Sequence, residues 1–216
     1  MTTTDDSKQL KNWRGRFGDS YAERNHVTVE RVRTYIHAFA KIWERMSAAP
    51  PKSVLECGCN VGLALRAIRA ISDASLSAIE PNPKARAMAM ASNVAAKENL
   101  KDGSVQHIPF EDESHDLVFT SGVLIHVAPE HLGPAMDEMA RVSRRYILMI
   151  EYYSREISEI PYRGQEKMLW KADYGRLFLE RHPDWEAVEA GFFWQPLTGF
   201  DDSTWWLFRR QIGTHS

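Results

Sequence analysis

A chain of 216 residues, 44% apolar and 26% charged, is long enough to bury one sizeable core and too short for two comfortable domains. Its formal net charge of -2 gives no electrostatic reason to expect binding to a phosphate backbone, so nucleic acid is not expected as a partner, with local basic patches left open. No apolar run approaches the roughly 20 residues of a membrane helix, and the start, Met1 to Asp6, lacks a signal peptide's basic and apolar regions, so the expected location is cytoplasmic with no membrane partner.

Residues 8 to 25 place Trp13, Phe17 and Tyr21 at four-residue spacing, the pattern of an amphipathic helix, broken near Gly15 and Gly18. This segment reads as a lid or flap. Residues 27 to 47 repeat apolar positions at Val29, Val32, Tyr35, Ile36, Phe39, Ile42 and Trp43 and stop before Pro50-Pro51, which predicts a helix ahead of the first strand. Residues 1 to 50 are thus expected to form an N-terminal helical extension, and 51 to 216 the main domain. There the pattern predicts strand 53 to 57, helix 61 to 71, strand 75 to 80, helix 83 to 97, strand 103 to 107, strand 115 to 120, helix 130 to 143 and strand 145 to 151. An irregular stretch, a helix near 171 to 181 and two closing strands, 185 to 194 and 203 to 209, complete it. This alternation predicts an α/β fold, a doubly wound, mostly parallel seven-stranded sheet with helices on both faces.

The first strand runs into Val54-Leu55-Glu56-Cys57-Gly58-Cys59-Asn60-Val61-Gly62, where Gly58 and Gly62 permit a tight turn before a helical periodicity from Leu63. In doubly wound sheets such a turn holds an adenosine-containing cofactor, and an acidic residue about 20 positions on holds its ribose hydroxyls. Glu80 meets that spacing. A nicotinamide fingerprint would place glycines where Asn60 and Leu63 stand, which weakens a dehydrogenase reading. Cys57 and Cys59 are the only cysteines: a disulfide between them would strain the chain, and a zinc site would lack two ligands nearby, so neither a redox role nor a metal is assigned.

The turn resembles motif I of the class I S-adenosylmethionine-dependent methyltransferases through Glu56, Gly58 and Gly62, with Asn60 replacing the middle glycine. Ala78-Ile79-Glu80-Pro81-Asn82 matches the family's acidic end of the second strand. Gly103 to Phe110 matches the segment around the adenine, with Ser104 where an acidic residue is usual. Ser114 to Val127 matches the fourth-strand motif, with His115 replacing phenylalanine. Over residues 12 to 209 the chain further resembles methyltransferases associated with pseudaminic acid biosynthesis, through Trp13 to Tyr21, Arg24-Asn25, Gly122 to His126, Glu151 to Ser154, Ile160 to Gly164 and Thr204 to Phe208.

The resemblance implies a Rossmann-like methyltransferase fold and S-adenosylmethionine as cofactor, with S-adenosylhomocysteine as product. The expected cofactor set is Trp13, Tyr21 and Arg24; Glu56, Gly58, Cys59, Asn60 and Gly62; Glu80, Pro81 and Asn82; Ser104 and Val105; Ser121 and Gly122. Backbone amides of the turn are expected to meet the cofactor's amino-acid end, and Glu80 to accept two bonds from the ribose diol. Glu56, costly to bury unpaired, should meet the cofactor's ammonium, directly or through water, or a cation of the N-terminal region. Arg24 is the candidate for that cation, or for the partner of the cofactor's carboxylate. His126, just past the fourth strand, is the candidate base, with an orienting role in the turn as the alternative.

Residues 151 to 170 leave the fifth strand at the ligand rim, so Glu151, Tyr152, Tyr153, Tyr162 and Arg163 are expected beside His126 around the acceptor. Aromatic walls and one guanidinium suit a small polar, anionic acceptor, a sugar or another biosynthetic metabolite, methylated on oxygen or nitrogen. Methylation of nucleic acid or protein is the second reading, although the Asn/Asp-Pro-Pro-aromatic motif is replaced by Thr120-Ser121-Gly122-Val123. A non-catalytic cofactor-binding scaffold is the third, kept open by Asn60, Ser104 and His115.

Overall fold

The computed structural model describes residues 7–211, so the reading of Met1 to Asp6 lies outside the described residues. Helices α1 (Lys8–Arg14), α2 (Arg16–Arg24) and α3 (Val29–Trp43) precede β1 (Ser53–Cys57), α4 (Leu63–Ile71), β2 (Ser75–Ile79), α5 (Pro83–Ala91), β3 (Leu100–Lys101) and β4 (His115–Ser121). There follow α6 (Pro129–Val142), β5 (Ser143–Glu151), β6 (Ser158–Glu159), β7 (Trp170–Lys171), α7 (Tyr174–Arg181), β8 (Trp185–Phe193), α8 (Gln195–Thr198) and β9 (Ser203–Arg210).

Seven strands form one sheet in the order β3-β2-β1-β4-β5-β9-β8. The first five are parallel, whereas β9 runs antiparallel between β5 and β8. Side chains alternate across the strands, so Val54 and Leu55 enter opposite cores, as do Phe119 and Val118. One core joins α3 and α4 to the sheet through Phe39, Ile42, Leu65 and Ile68; the other joins α6 and α7 through Met136, Met139 and Phe178. Burial of both faces explains why the central strands read as apolar runs. Among the described residues no helix is long and apolar enough to cross a membrane.

Two elements, α5 and β3, depart most from the bounds expected from sequence. Helix α5 stops at Ala91, not 97: Ser92 Oγ bonds the Ala89 carbonyl at 2.7 Å, and Asn93 turns left-handed at φ 52°. The third strand is Leu100–Lys101, opposite Ala78 and Ile79, while 104–107 closes a turn in which His107 N donates to Ser104 O at 2.9 Å. Gly103 lies close against Pro109 and Ile79.

The N-terminal helices break at Gly15, but Gly18 lies inside α2. A Cβ at Gly18 would stand 1.9 Å from Trp13 O and 2.7 Å from Asn82 Nδ2. That closeness seats the helices: Asn82 Nδ2 donates to Trp13 O at 3.0 Å and to Asp19 Oδ1 at 2.9 Å, while its Oδ1 caps α5 through Ala85 N. On the opposite side Gln9 Nε2 reaches Lys167 O at 2.9 Å and Asn12 Nδ2 reaches Gln165 Oε1 at 3.3 Å. Gly18→Ala should therefore cost about 1–3 kcal/mol of overpacking. Calorimetric melting reads it, and an unchanged melting temperature would mean that α2 does not rest on Asn82 in solution.

Candidate active site

A cavity of about 220 Å³ opens at the carboxyl ends of β1, β2 and β4, the rim where open parallel sheets bind ligands. Its wall includes Trp13 and Tyr21, Glu56, Gly58, Cys59 and Asn60, Glu80, Pro81 and Asn82, Ser104 and Val105, Ser121 and Gly122, and His126. Most of the sequence-predicted cofactor set is thus brought together. Gly62 starts α4 at φ 79° behind that wall, and Arg24 is exposed and outside it.

In the glycine turn Gly58 has φ 76° and Asn60 φ 48°. A side chain at Gly58 would come within 2.7 Å of Val123, so only glycine fits. The expectation that the turn's amides face a ligand fails for four of them. Gly58 N and Cys59 N both donate to Ile79 O, Gly62 N donates to Cys59 O, and Asn60 N donates to Glu80 Oε2 at 2.8 Å. The turn instead provides close backbone approach and the Asn60 carboxamide. Both cysteines are free and buried, and burial pushes both thiols upward.

Glu80 is buried and accepts one amide on each oxygen, from Asn60 N and from Asn82 N, both at 2.8 Å. Burial nevertheless pushes its carboxyl up to about 7. Each oxygen retains a further lone pair for a donor. Glu56 is pushed well above the usual carboxylate range, first by burial and then by the charge of Glu80. Three residues of the wall hold a buried polar atom that has no partner among the described residues: Glu56 Oε2, Asn60 Oδ1 and Trp13 Nε1. An unmade bond at each costs about 1–3 kcal/mol. A ligand that brings donors to the two oxygens and an acceptor to the indole would satisfy all three.

Arg31, which the sequence reading missed, occupies the same wall and is held by Asn25 Oδ1 at 3.1 Å and His26 O at 3.0 Å. It sits in the first turns of α3, whereas Arg24 ends α2 and points outward.

A smaller cavity of about 90 Å³ adjoins the first, sharing Tyr21, Tyr35, Ser121, Gly122, His126 and Asp201 and adding Tyr152, Tyr162 and Phe200. His126 Nδ1 lies 2.5 Å from Met168 O, and since a carbonyl only accepts, that nitrogen bears the proton and leaves Nε2 as an acceptor. Burial pulls the imidazole down to about 4, so it is neutral at neutral pH. Its ring packs 4.7 Å from Trp13 and 5.1 Å from Tyr162 between centroids.

Glu151 does not line either cavity. It lies fully buried behind the Leu124–His126 turn, accepting from Val123 N at 3.2 Å and Ile125 N at 3.3 Å, and burial pushes it up to about 7. Its part is to set the turn that presents His126. Tyr153 is 49% exposed against Trp206, and Arg163 stands exposed near the Tyr162 ring; neither reaches a cavity wall.

Sheet order, glycine turn and the acidic end of β2 together define the Rossmann-like methyltransferase fold. Within it, residues 55–146 match the model of a methyltransferase domain. The chain is similar to the 1,6-didemethyltoxoflavin-N1-methyltransferase of Burkholderia thailandensis, solved with 1,6-didemethyltoxoflavin and S-adenosylhomocysteine, at 14% identity and a TM-score of 0.65, over 94% of this chain and 86% of that one. It is similar at 14% identity and a TM-score of 0.65 to the magnesium protoporphyrin IX methyltransferase of Synechocystis PCC 6803 with S-adenosylhomocysteine bound, over 94% of this chain and 98% of that one. A SAM-dependent methyltransferase of Leishmania major gives a TM-score of 0.69 at 14% identity, over 94% and 81% of the two chains. At such identities the likeness is one of fold. Among curated proteins none matches the chain by sequence.

Proposed function

We propose that the protein is an S-adenosylmethionine-dependent methyltransferase acting on an oxygen or nitrogen of a small polar metabolite, a sugar or another product of a biosynthetic cluster. The observation behind this reading is the buried Glu56 carboxylate, one oxygen of which has no partner among the described residues, sharing one cavity with the buried carboxylate of Glu80: two acceptors at fixed points, suited to an ammonium and a diol. When bound, S-adenosylmethionine supplies a methyl carbon already activated by its positive sulfur. In this reading Glu56 takes the ammonium, Arg31 replaces Arg24 as partner of the carboxylate, Glu80 accepts from the ribose hydroxyls, and Ser104 and Val105 border the adenine. His126 Nε2 accepts a hydrogen bond from the acceptor and orients it; an imidazole pulled down to about 4 is a weak holder of a proton. Helices α1 and α2 close over the site as a lid and exclude water.

The anionic character expected of the acceptor rested on Arg163, which lies outside both cavity walls. The proposal of a sugar-like acceptor rests on the resemblance of the chain to the pseudaminic acid-associated methyltransferases. The reading is tested by calorimetric titration with S-adenosylhomocysteine and, separately, oxidised nicotinamide dinucleotide. Saturable binding of the first is expected. Binding of the second alone would make the protein a dehydrogenase, and turnover with no acceptor despite tight S-adenosylhomocysteine binding would leave it a scaffold.

A further inference from the structure

Among the described residues the smaller cavity is lined by one formally charged side chain, and it is negative. Asp201 precedes β9 and lines both cavities, while among the described residues no lysine or arginine lines the smaller one. Among the described residues its carboxylate makes no hydrogen bond and no ion pair, in contrast to the adjacent Asp202, which accepts from Gln195 N at 2.7 Å. Asp201 is close enough to Tyr21, Tyr35 and Tyr152 to add to the upward push that burial exerts on each phenol. The phenols stay neutral and present rings together with hydroxyl groups. His126 adds an acceptor nitrogen. The charges acting on Tyr21 and Tyr35 from elsewhere are Arg31, in the wall of the larger cavity, and Glu56. Where the cofactor's carboxylate neutralises Arg31, the smaller cavity is left with acceptors, aromatic faces and one negative charge.

We infer that the acceptor is an amine, bound as its ammonium by the Asp201 carboxylate against the rings of Tyr21, Tyr35 and Tyr152. The inference rests on the methyltransferase reading and narrows it to nitrogen. A carboxylate suits an ammonium through a charge-assisted hydrogen bond, and neutral aromatic faces attract the same cation. An anionic acceptor would meet like charge and no donor cation. The ammonium releases one proton to solvent at the exposed cavity mouth, beside Asp201. The freed lone pair then forms the nitrogen–carbon bond as the donor's carbon–sulfur bond breaks with its electron pair left on sulfur, releasing one proton per methyl group.

The test uses the full chain saturated with S-adenosylhomocysteine and ligand-observed NMR with size-matched probes: benzylamine, cyclohexylamine and ethanolamine against benzoate, cyclohexanecarboxylate and glycolate. The amines are expected to bind and the carboxylates not. Asp201→Asn should weaken amine binding about tenfold while S-adenosylhomocysteine binding persists, and Asp201→Lys should turn the preference toward the carboxylates. Carboxylates binding as well as amines, no amine binding at all, or amine affinity unchanged in Asp201→Asn would each overturn the inference. Failure of the wild-type protein to bind S-adenosylhomocysteine would instead overturn the methyltransferase reading beneath it. Since Asp201 is exposed, melting curves of both variants should match the wild type, which separates lost binding from lost folding.

Discussion

Glu56→Gln should leave the empty protein more stable and its cofactor site weaker. The carboxylate is buried, one of its oxygens has no partner, and burial followed by the charge of Glu80 pushes it well above its ordinary value of 4.5. A carboxyl raised in the folded state carries no penalty below its unfolded value, where both states hold the proton. As pH rises from there toward the folded value, the unfolded chain ionises first and stability falls. The gain from glutamine should accordingly be near zero at about pH 4.5 and grow through neutrality. About 1–3 kcal/mol is expected, roughly 2 to 10 °C in melting temperature for a chain of this size.

The wild-type pH profile alone would not isolate this effect. Glu80 and Glu151, both pushed up to about 7 by burial, act in the same direction as Glu56. His115 and His126, both pulled down to about 4 by burial, act in the opposite one: stability falls as pH drops from 6.5 toward 4, because the unfolded chain protonates first. The two sets oppose each other over one window. Calorimetry of wild type and variant at pH 4.5 and 8, with and without S-adenosylhomocysteine, separates them. A variant no more stable than wild type at pH 8 would contradict a buried, ionised Glu56 with one oxygen unpartnered.

Glu80→Ala should weaken S-adenosylhomocysteine binding by about a hundredfold or more, the scale of two charge-assisted hydrogen bonds lost together. The loss has two sources. In the proposed binding mode the ribose diol loses its acceptors, and the amides of Asn60 and Asn82 lose the carboxylate that holds the two turns together. Glu80→Gln should also bind poorly, because its amide nitrogen cannot accept from the backbone amide it would face. Titration calorimetry reads both, and near-wild-type affinity in Glu80→Ala would remove the diol assignment.

The parts of the site legible in the sequence are those built within one stretch of chain. Glu56, the glycine turn and Glu80 lie along a single strand–helix–strand unit, so their spacing alone places them at one rim. Asp201 and Arg31 could not be found that way. Asp201 reaches the cavity because β9 inserts beside β5, and no local pattern announces that insertion. Glu151 fails for a different reason: its place at the end of β5 was readable, its direction was not. Neighbouring strand residues face opposite sides, and it is Ile150 that lines the smaller cavity. The strand misread most in the sheet is its smallest piece, β3, where two residues leave too little pattern to distinguish a strand from the turn that follows.

The N-terminal helices are fastened at two ends. Asn82, at the start of α5, holds Trp13 and Asp19; Lys167 and Gln165, in the segment that bears Tyr162, hold Gln9 and Asn12, and Phe17 packs 6.1 Å from the Tyr162 ring. The roof over one compartment is therefore also a buttress for the wall of the other. In the proposed enzyme the two chambers share a single gate: lifting α1 and α2 to release the spent donor loosens the acceptor wall in the same movement, so the rhythm of turnover is set by one opening rather than two.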